Sequence, residues 1–297
     1  MRNQNAVGMQ HRYVDHQGGL KVTYVFVGGS QRSGTSITQQ LLCQLPDANP
    51  YVYEVSYLRL LASNYREGRT GFVQNFSAYF GDLQSFRDFN SGVVHAFLEH
   101  ARNQLGGAAH LILKEPHLTL YWPFLFELVP EAWYLMVVRD PRDAIASMVR
   151  VGEKQKVLGQ QYLFVERDIA AMCRHFLSFY EPSFSSSDDR FKQRLGVIHY
   201  EELMTDPSRM LRDISKYTGL PFDQIDPSIP PDPGLYRKDD GENGNMFLPW
   251  VTDVTGAKVT RSRIGNYRDV LTSAEVDIVE RECSEFIDWF GYHRKAA

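Results

Sequence analysis

The chain of 297 residues is 43% hydrophobic and 23% charged, a composition that fits one globular domain and excludes a disordered chain. Its net charge of -4 argues against a general nucleic-acid-binding or heparin-binding surface, so any phosphate site must be built locally. No apolar run approaches the ~18 residues of a membrane span.

The N-terminus and the cysteines bear on the cellular location of the protein. Residues 1–20 predict a flexible, polar leader without the apolar core of a signal peptide, followed by a single domain over 21–297. The cysteines, Cys43, Cys173 and Cys283, are odd in number and far apart, which favours free thiols in a reducing compartment. A cytoplasmic location is therefore predicted, and the oligomeric state is left open.

The first predicted unit is a strand, a glycine turn and a helix. Residues 22–27 are rich in β-branched and aromatic side chains and end at Gly28-Gly29, which is typical of a buried strand that runs into a turn. Apolar residues then recur at helical spacing from Ile37 to Leu45, until Pro46 ends the pattern.

Strands and helices alternate along the rest of the chain. The predicted strands cover 110–113, 133–138 and 195–200, and the predicted helices cover 169–180, 201–217 and 276–290. The run 133–138 is apolar throughout, which is typical of a central parallel strand covered on both faces, whereas 72–89 is ambiguous within a mainly helical stretch. The alternation predicts an α/β fold with a parallel sheet.

Two further segments have distinct features. After the central strand, Asp140 fits a helix N-cap, Pro141 the first helical position and Asp143 the first turn, so a second strand-to-helix junction is predicted. Residues 226–258 are rich in Pro, Gly and Asp and are long for a passive connection, which predicts a loop that covers substrate or cofactor, or else a mobile insert.

The first junction has the outline Gly-x-x-x-x-Gly from Gly29 to Gly34, and this geometry points backbone N–H groups and a helix dipole at an anion. A nucleoside triphosphatase loop would continue with lysine, but Thr35 follows instead, and the cation of the loop is Arg32. An ordinary glycine-rich turn is the alternative for this segment taken alone. The loop therefore predicts a phosphate site whose chemistry differs from that of a nucleoside triphosphatase.

The segment from Gln31 to Ser36, Gln-Arg-Ser-Gly-Thr-Ser, resembles the 5′-phosphosulfate-binding loop of sulfotransferases that use 3′-phosphoadenosine-5′-phosphosulfate (PAPS). A second segment resembles the 3′-phosphate-binding motif of that family, in which an arginine and a serine eight residues later bind one phosphate. Arg139 and Ser147 occupy these positions, and a strand-end residue and one nearly two turns into the next helix can flank one anion. For Arg139 alone, an ion pair with Asp140 or Asp143 is the alternative.

The resemblance implies a P-loop-type central parallel sheet flanked by helices on both faces, and it is strongest to the tyrosylprotein branch. It also implies roles for side chains outside the two phosphate motifs. By resemblance, Glu54 is the base that deprotonates the acceptor, Lys114 contacts the sulfuryl group, and Tyr200, Arg261 and Arg263 contact the nucleotide. His117 and Glu115 are rivals of Glu54 as the base, because small-molecule members of the family carry a catalytic histidine shortly after this lysine.

Together these residues imply sulfuryl transfer from PAPS to an acceptor hydroxyl by in-line displacement. Arg32 and Lys114 are the expected catalytic cations, while Gln31, Ser33, Gly34, Thr35 and Ser36 would bind the 5′-phosphosulfate. No metal is expected to take part. The acceptor is left open among a small metabolite, a lipid, a sugar and a carrier-bound intermediate; a P-loop kinase and a non-catalytic nucleotide-binding module are the alternative functions.

Overall fold

The computed structural model describes residues 22–161, 164–230, 248–250 and 259–293. The predicted leader lies outside these residues, and so does most of the predicted loop over 226–258. A four-stranded parallel sheet forms the centre, with the strand order β2-β1-β3-β4. The strands are β1 (Thr23–Gly28), β2 (His110–Lys114), β3 (Trp133–Val138) and β4 (Leu195–His199).

Helices fill the connections between the strands. They are α1 (Thr35–Leu42), α2 (Ser56–Thr70), α3 (Phe72–Asn75), α4 (Ser77–Phe80), α5 (Leu83–Gln104), α6 (Trp122–Leu128), α7 (Pro141–Val157), α8 (Ile169–Ser178), α9 (Glu181–Phe184), α10 (Asp189–Lys192), α11 (Tyr200–Thr205), α12 (Pro207–Thr218), α13 (Ser273–Glu282) and α14 (Ser284–Phe290). Short 3₁₀ helices cover Pro116–Tyr121, Phe222–Gln224, Leu248–Trp250 and Asn266–Asp269. Among the described helices, none is long and apolar enough to cross a membrane.

The sheet is covered on both faces, as predicted. Successive side chains of a strand point to opposite faces, so Phe26 and Met136 pack into one hydrophobic cluster with α2, α5, α7 and α8. Their neighbours Val27 and Leu135 pack into a second cluster with α1, α11 and α12. This alternation confirms the predicted α/β fold with helices on both faces.

Several predicted boundaries were wrong. The first helix ends at Leu42 rather than Leu45, and the stretch 72–89 resolves into two single-turn helices and the start of α5. The helix predicted over 201–217 is two helices, because Pro207 can begin a helix but cannot continue one, and the Asp206 side chain caps the second. The last predicted helix is also divided, at Cys283.

The parallel topology places the ends of the central strands at one edge of the sheet. Val27 of β1 pairs with Lys114 of β2, and β3 ends at Val138, directly before Arg139. The predicted capping at the second junction is confirmed, since the Asp140 carboxylate accepts from the backbone N–H of Arg142 at 2.9 Å. Ligand sites of open α/β sheets lie outside this carboxyl edge, and the predicted site residues converge there.

Candidate active site

The loop between β1 and α1 has the backbone of an anion site. Gly29 and Gly34 have φ angles of 129° and 103°, and the non-glycine Arg32 between them also has a left-handed φ of 70°. Non-glycine residues rarely adopt this conformation, and such residues cluster at functional sites. The loop leads into the first turn of α1, where the N–H groups of Thr35 and Ser36 have no intrahelical acceptor.

Other groups of the loop hold the turn together. Ser33 is buried, and both its N–H and its hydroxyl donate to the carbonyl oxygen of Ser30, at 3.1 and 2.7 Å. The Gly29 N–H donates to Thr119 Oγ1 at 2.9 Å. Ser33, one of the predicted phosphate ligands, therefore uses its N–H and hydroxyl to hold the loop together, while Thr35 and Ser36 form the N-terminus of α1.

Arg32 joins the two predicted phosphate sites. Its Nε donates to Ser147 Oγ at 3.1 Å, and its Nη1 donates to the carbonyl oxygen of Trp250 at 2.9 Å. Burial, with Arg139 and Arg263 nearby, lowers the pKa of Arg32 to about 10, so the guanidinium stays charged at neutral pH. The predicted 5′-site cation and the predicted 3′-site serine are thus direct neighbours.

Arg139 is buried at the end of β3, with 7% of its surface exposed. Its Nη1 donates to the carbonyl oxygen of Arg32 at 2.9 Å, its Nη2 donates to that of Arg263 at 2.7 Å, and the guanidinium lies 4.3 Å from the centre of the Tyr200 ring. Its Nε is buried without a hydrogen-bond partner among the described residues. The alternative of an ion pair with Asp140 or Asp143 has no support among the described contacts, because Asp140 pairs with Arg142 at 2.7 Å and Asp143 accepts from the N–H groups of Gly265 and Tyr267.

Tyr200 and the segment from Arg261 to Tyr267, called the late segment below, close this side of the site. A side chain at Gly34 would overlap the Tyr200 ring, so the loop and the ring are in direct contact. Asp143 accepts from the N–H groups of Gly265 and Tyr267 at 2.6 and 2.9 Å, which fixes the late segment on α7.

Asp143 is largely buried, and burial raises the pKa of its carboxyl, although Arg139 and these two N–H groups act in the opposite direction. The late segment carries two predicted nucleotide ligands. Arg263 lies beside Arg139, whereas the side chain of Arg261 is exposed and its Nη2 donates to the carbonyl oxygen of Thr205 at 3.1 Å.

Lys114 and Glu54 form the second half of the site. Lys114 Nζ lies 2.8 Å from Glu54 Oε1, with the lysine side chain 5% exposed and the glutamate side chain 44% exposed. Burial alone would lower the pKa of Lys114, but Glu54 and Tyr51 raise it above its ordinary value, so the ammonium is charged. The charge of Glu54 also acts on Arg32, where it raises the pKa against the larger effects of burial and the neighbouring arginines, so one carboxylate acts on both predicted catalytic cations.

The rival bases have more restricted surroundings. Glu115 is 2% exposed, and its two oxygens accept from the His117 N–H at 3.1 Å and from the Ser56 hydroxyl at 3.0 Å. Burial by itself would raise the pKa of Glu115, but His117 and Ser56 bring it below its ordinary value. His117 is partly exposed, and its Nδ1 lies 3.4 Å from Glu115. Of the three candidates, Glu54 combines the greatest exposure with direct contact to a site cation.

Comparison with known proteins identifies the group to which the chain belongs. The model of the sulfotransferase family matches residues 25–224, more than half of the sequence. The chain belongs to the sulfotransferase family. The match includes both phosphate motifs, Lys114 and Glu54, and it ends before the late segment.

Named sulfotransferases are similar at low identity. Protein-tyrosine sulfotransferase 1 of Danio rerio is 23% identical over 199 residues, which are 67% of this chain and 53% of that protein. Protein-tyrosine sulfotransferase 2 of Gallus gallus is 24% identical over 223 residues, which are 73% of this chain and 57% of that protein. The chain spans just over half the length of these relatives, which confirm the predicted resemblance to the tyrosylprotein branch.

Solved sulfotransferase structures share the fold. The sulfotransferase domain from the curacin biosynthetic pathway superimposes with a TM-score of 0.52 at 15% identity, over 89% of this chain and 97% of that domain. The sulfotransferase domain from the Synechococcus PCC 7002 olefin synthase gives a TM-score of 0.50 at 13% identity, over 93% and 97%. These matches support the sulfotransferase fold across nearly the whole chain.

Two contacts of this sulfotransferase site were not foreseen from the sequence. Gln31 Oε1 lies 3.0 Å from His175 Nε2, and the carbonyl oxygen of Trp250 accepts from Arg32. His175 lies in α8, whose apolar spacing indicated only a core helix, and Trp250 lies in the predicted loop segment. Neither position has a motif, so only the folded chain brings them to the site. Groups of three or more metal-binding side chains are absent from the described part of the chain.

Proposed function

We propose that the protein transfers the sulfuryl group of PAPS to a hydroxyl group of an acceptor. The observation that carries this proposal is the contact between Glu54 and Lys114 at 2.8 Å, at the same edge of the sheet as the Arg32 loop, since Lys114 ends β2 and pairs with Val27 of β1. A partly exposed carboxylate, a charged ammonium and a helix N-terminus are the groups that an in-line displacement on a phosphosulfate requires.

The residues present fit an adenosine nucleotide with two phosphate groups. The buried Arg139 Nε has no described partner, and an unpaired buried guanidinium donor is costly unless an anion binds it. At the other end, the first turn of α1 supplies N–H groups to a 5′-phosphosulfate. Arg139 and Ser147 would hold the 3′-phosphate, with Tyr200 and Arg263 beside it.

The side chains divide the chemical step between them. Glu54 takes the proton of the acceptor hydroxyl as its oxygen forms a bond to sulfur. Arg32, Lys114 and the loop N–H groups stabilise the negative charge that gathers on the 5′-phosphate oxygen as the bond from that oxygen to sulfur breaks. The products are the sulfate ester and adenosine 3′,5′-bisphosphate, and Glu54 carries the proton.

The two alternative functions have less support. A P-loop kinase would need a lysine where Thr35 stands and an acidic residue at the end of β3, where the chain has Arg139. A non-catalytic module would have no need for the contact of Lys114 with Glu54. Neither alternative explains a buried arginine cluster of this kind.

Ligand stabilisation separates these functions. A sulfotransferase should melt at a higher temperature when adenosine 3′,5′-bisphosphate is added without magnesium. At a ligand concentration of 100 times the Kd, the free energy of unfolding should rise by about 2.7 kcal/mol. A response to Mg-ATP alone would favour the kinase. Incubation with PAPS and a panel of hydroxylated acceptors, followed by mass spectrometry, then separates transfer from binding alone.

The acceptor and the location stay proposals. A small metabolite, a lipid, a sugar and a carrier-bound intermediate each offer the hydroxyl that Glu54 would deprotonate, and the acceptor panel should include all four. Cys43, Cys173 and Cys283 are free thiols, which supports the proposed cytoplasmic location.

A further inference from the structure

Gln31 stands at the crest of the phosphate-binding loop with both of its oxygen atoms occupied. Its backbone carbonyl accepts from Ser30 Oγ at 3.1 Å, and its side-chain carbonyl lies 3.0 Å from His175 Nε2. The part of the Gln31 side chain that has no described contact is its NH2 group, which can only donate. With the oxygen held by His175, this NH2 group beside Arg32 has the polarity that an anion requires.

The surroundings of His175 fix its ring and its protonation. The ring packs edge-on between Phe164, at 5.5 Å between ring centres, and Phe179, at 4.9 Å. Burial, with a smaller effect of His117, lowers the pKa of His175 to about 4, so the imidazole is neutral at physiological pH. A carbonyl oxygen can only accept, so Nε2 carries the single N–H of the neutral ring and donates it to Gln31.

This pair differs from the other contacts of the loop. The Ser33 and Thr119 hydroxyls bind backbone groups and shape the turn, whereas His175 binds the side chain of Gln31. A glutamine amide can present either its oxygen or its nitrogen to a ligand, and the wrong orientation would turn a carbonyl toward a phosphosulfate. An N–H donor from α8 removes this ambiguity.

We propose that His175 is a positioning residue that orients the Gln31 amide so that its N–H group donates to the 5′-phosphosulfate of the nucleotide. The inference rests on the proposed function and adds a determinant from α8 to the 5′ end of the site. His175 acts through Gln31 and does not contact the nucleotide.

Nucleotide binding tests the pair without turnover. We would measure by calorimetry, without magnesium, the affinity for adenosine 3′,5′-bisphosphate and for adenosine 3′-monophosphate, which lacks the 5′-phosphate. The variants are His175→Phe, which keeps the ring between Phe164 and Phe179, Gln31→Met, which keeps the length without the amide, and the double variant. His175→Gln, which restores an N–H donor, is the conservative control.

Each single variant should weaken binding of the bisphosphate about tenfold, as expected for one hydrogen bond to a charged group. The double variant should lose about the same tenfold, because the second substitution removes an interaction that the first has already disabled. Affinity for the 3′-monophosphate should change less than about twofold, and His175→Gln should regain most of the lost affinity.

Wild-type affinity in His175→Phe, or losses that multiply to about 100-fold in the double variant, would overturn the proposed positioning. Equal losses for both nucleotides would overturn it as well, since they would indicate general damage to the site. If wild-type protein binds neither nucleotide, the proposed function itself fails. If His175→Phe does not fold, the comparison of Gln31→Met with His175→Gln still tests the proposal. Gln31→Met should bind the bisphosphate more weakly than His175→Gln, and both should bind the 3′-monophosphate equally well.

Discussion

The nucleotide half and the acceptor half of the site are built in different ways. In the nucleotide half, Arg139 is 7% exposed and donates to two backbone carbonyls, and Asp143 accepts from two backbone N–H groups. In the acceptor half, Glu54 lies next to Tyr53 and close to Tyr57 in the sequence, and these two tyrosines are 39% and 57% exposed to solvent. The nucleotide half is held by main-chain hydrogen bonds, whereas the acceptor half combines the buried Lys114 with partly exposed side chains around Glu54.

This difference explains why one ligand could be inferred and the other could not. A phosphate group binds best to fixed donors, so the backbone turn and the strand-end arginine that hold it have a fixed spacing along the chain. An acceptor is bound by exposed side chains, which need no fixed spacing. A substitution in the nucleotide half should therefore affect binding or stability, and one in the acceptor half should affect turnover.

The largest effect is expected from Glu54→Gln. Loss of the general base should lower kcat about 10²–10⁴-fold, while the affinity for adenosine 3′,5′-bisphosphate stays at the wild-type value. Steady-state rates with PAPS and an acceptor found in the panel, together with calorimetry, measure both. Glu67→Gln, an exposed change in α2, is the control and should leave both unchanged. A retained rate in Glu54→Gln would move the base to His117 or Glu115.

Arg139→Met should weaken binding of the bisphosphate by about 100-fold, because a buried charged donor to a phosphate is worth about 2–5 kcal/mol. Arg139→Lys keeps the charge but loses the planar fork, so we expect an intermediate loss. Arg190→Ala, an exposed arginine paired with Asp188, is the matched control in calorimetric titrations. Unchanged affinity in Arg139→Met would remove Arg139 from the nucleotide site.

Gly34→Ala tests the contact between the loop and Tyr200. The new side chain meets the ring, and a φ of 103° is unfavourable for alanine, so a loss of about 3 kcal/mol in the free energy of unfolding is expected. Gly92→Ala is the control in α5, where no atom lies within 4 Å of the added carbon, and should stabilise by about 0.5–1 kcal/mol. Urea denaturation compares the two, and equal stabilities would contradict the contact.

The smallest effect is expected far from either ligand. Arg167 and Thr272 lower the pKa of Glu275 to about 2, so its ionised form stabilises the fold above its ordinary pKa near 4.5, and this stability is lost as the pH falls toward 2. Glu275→Gln should cost about 1 kcal/mol at pH 7, and this difference should shrink below pH 4.5.

Denaturation across a pH series measures this difference. Glu153 is the second carboxylate partner of Arg167, and its side chain is 59% exposed. The free energy of unfolding of Glu153→Gln should stay within about 0.5 kcal/mol of the wild-type value at every pH. A pH-independent cost of Glu275→Gln would contradict the assigned pKa shift.

The sequence predicted the sheet and the phosphate loop well, because strand alternation and glycine spacing are local properties. The helix break at Asp206 was missed although Pro207 marks it in the sequence, whereas the break at Cys283 has no such local mark, because the apolar spacing continues across it. At the site, Arg32 and Arg139 follow from motifs. The contact of His175 with Gln31 joins residues 144 positions apart, and no local pattern encodes it.

The hydrogen bond from Arg139 to the carbonyl of Arg263 has a consequence for the order in which the site can form. The family match ends at residue 224, but Arg263, whose carbonyl oxygen accepts from Arg139, lies beyond it. Tyr292 also lies beyond it, and its hydroxyl donates to Glu201 at 2.9 Å. On the ribosome, both phosphate motifs emerge first. The nascent chain would gain full nucleotide affinity only after the late segment and the C-terminal helices have docked, so a fragment ending at 224 would contain the motifs without a finished site.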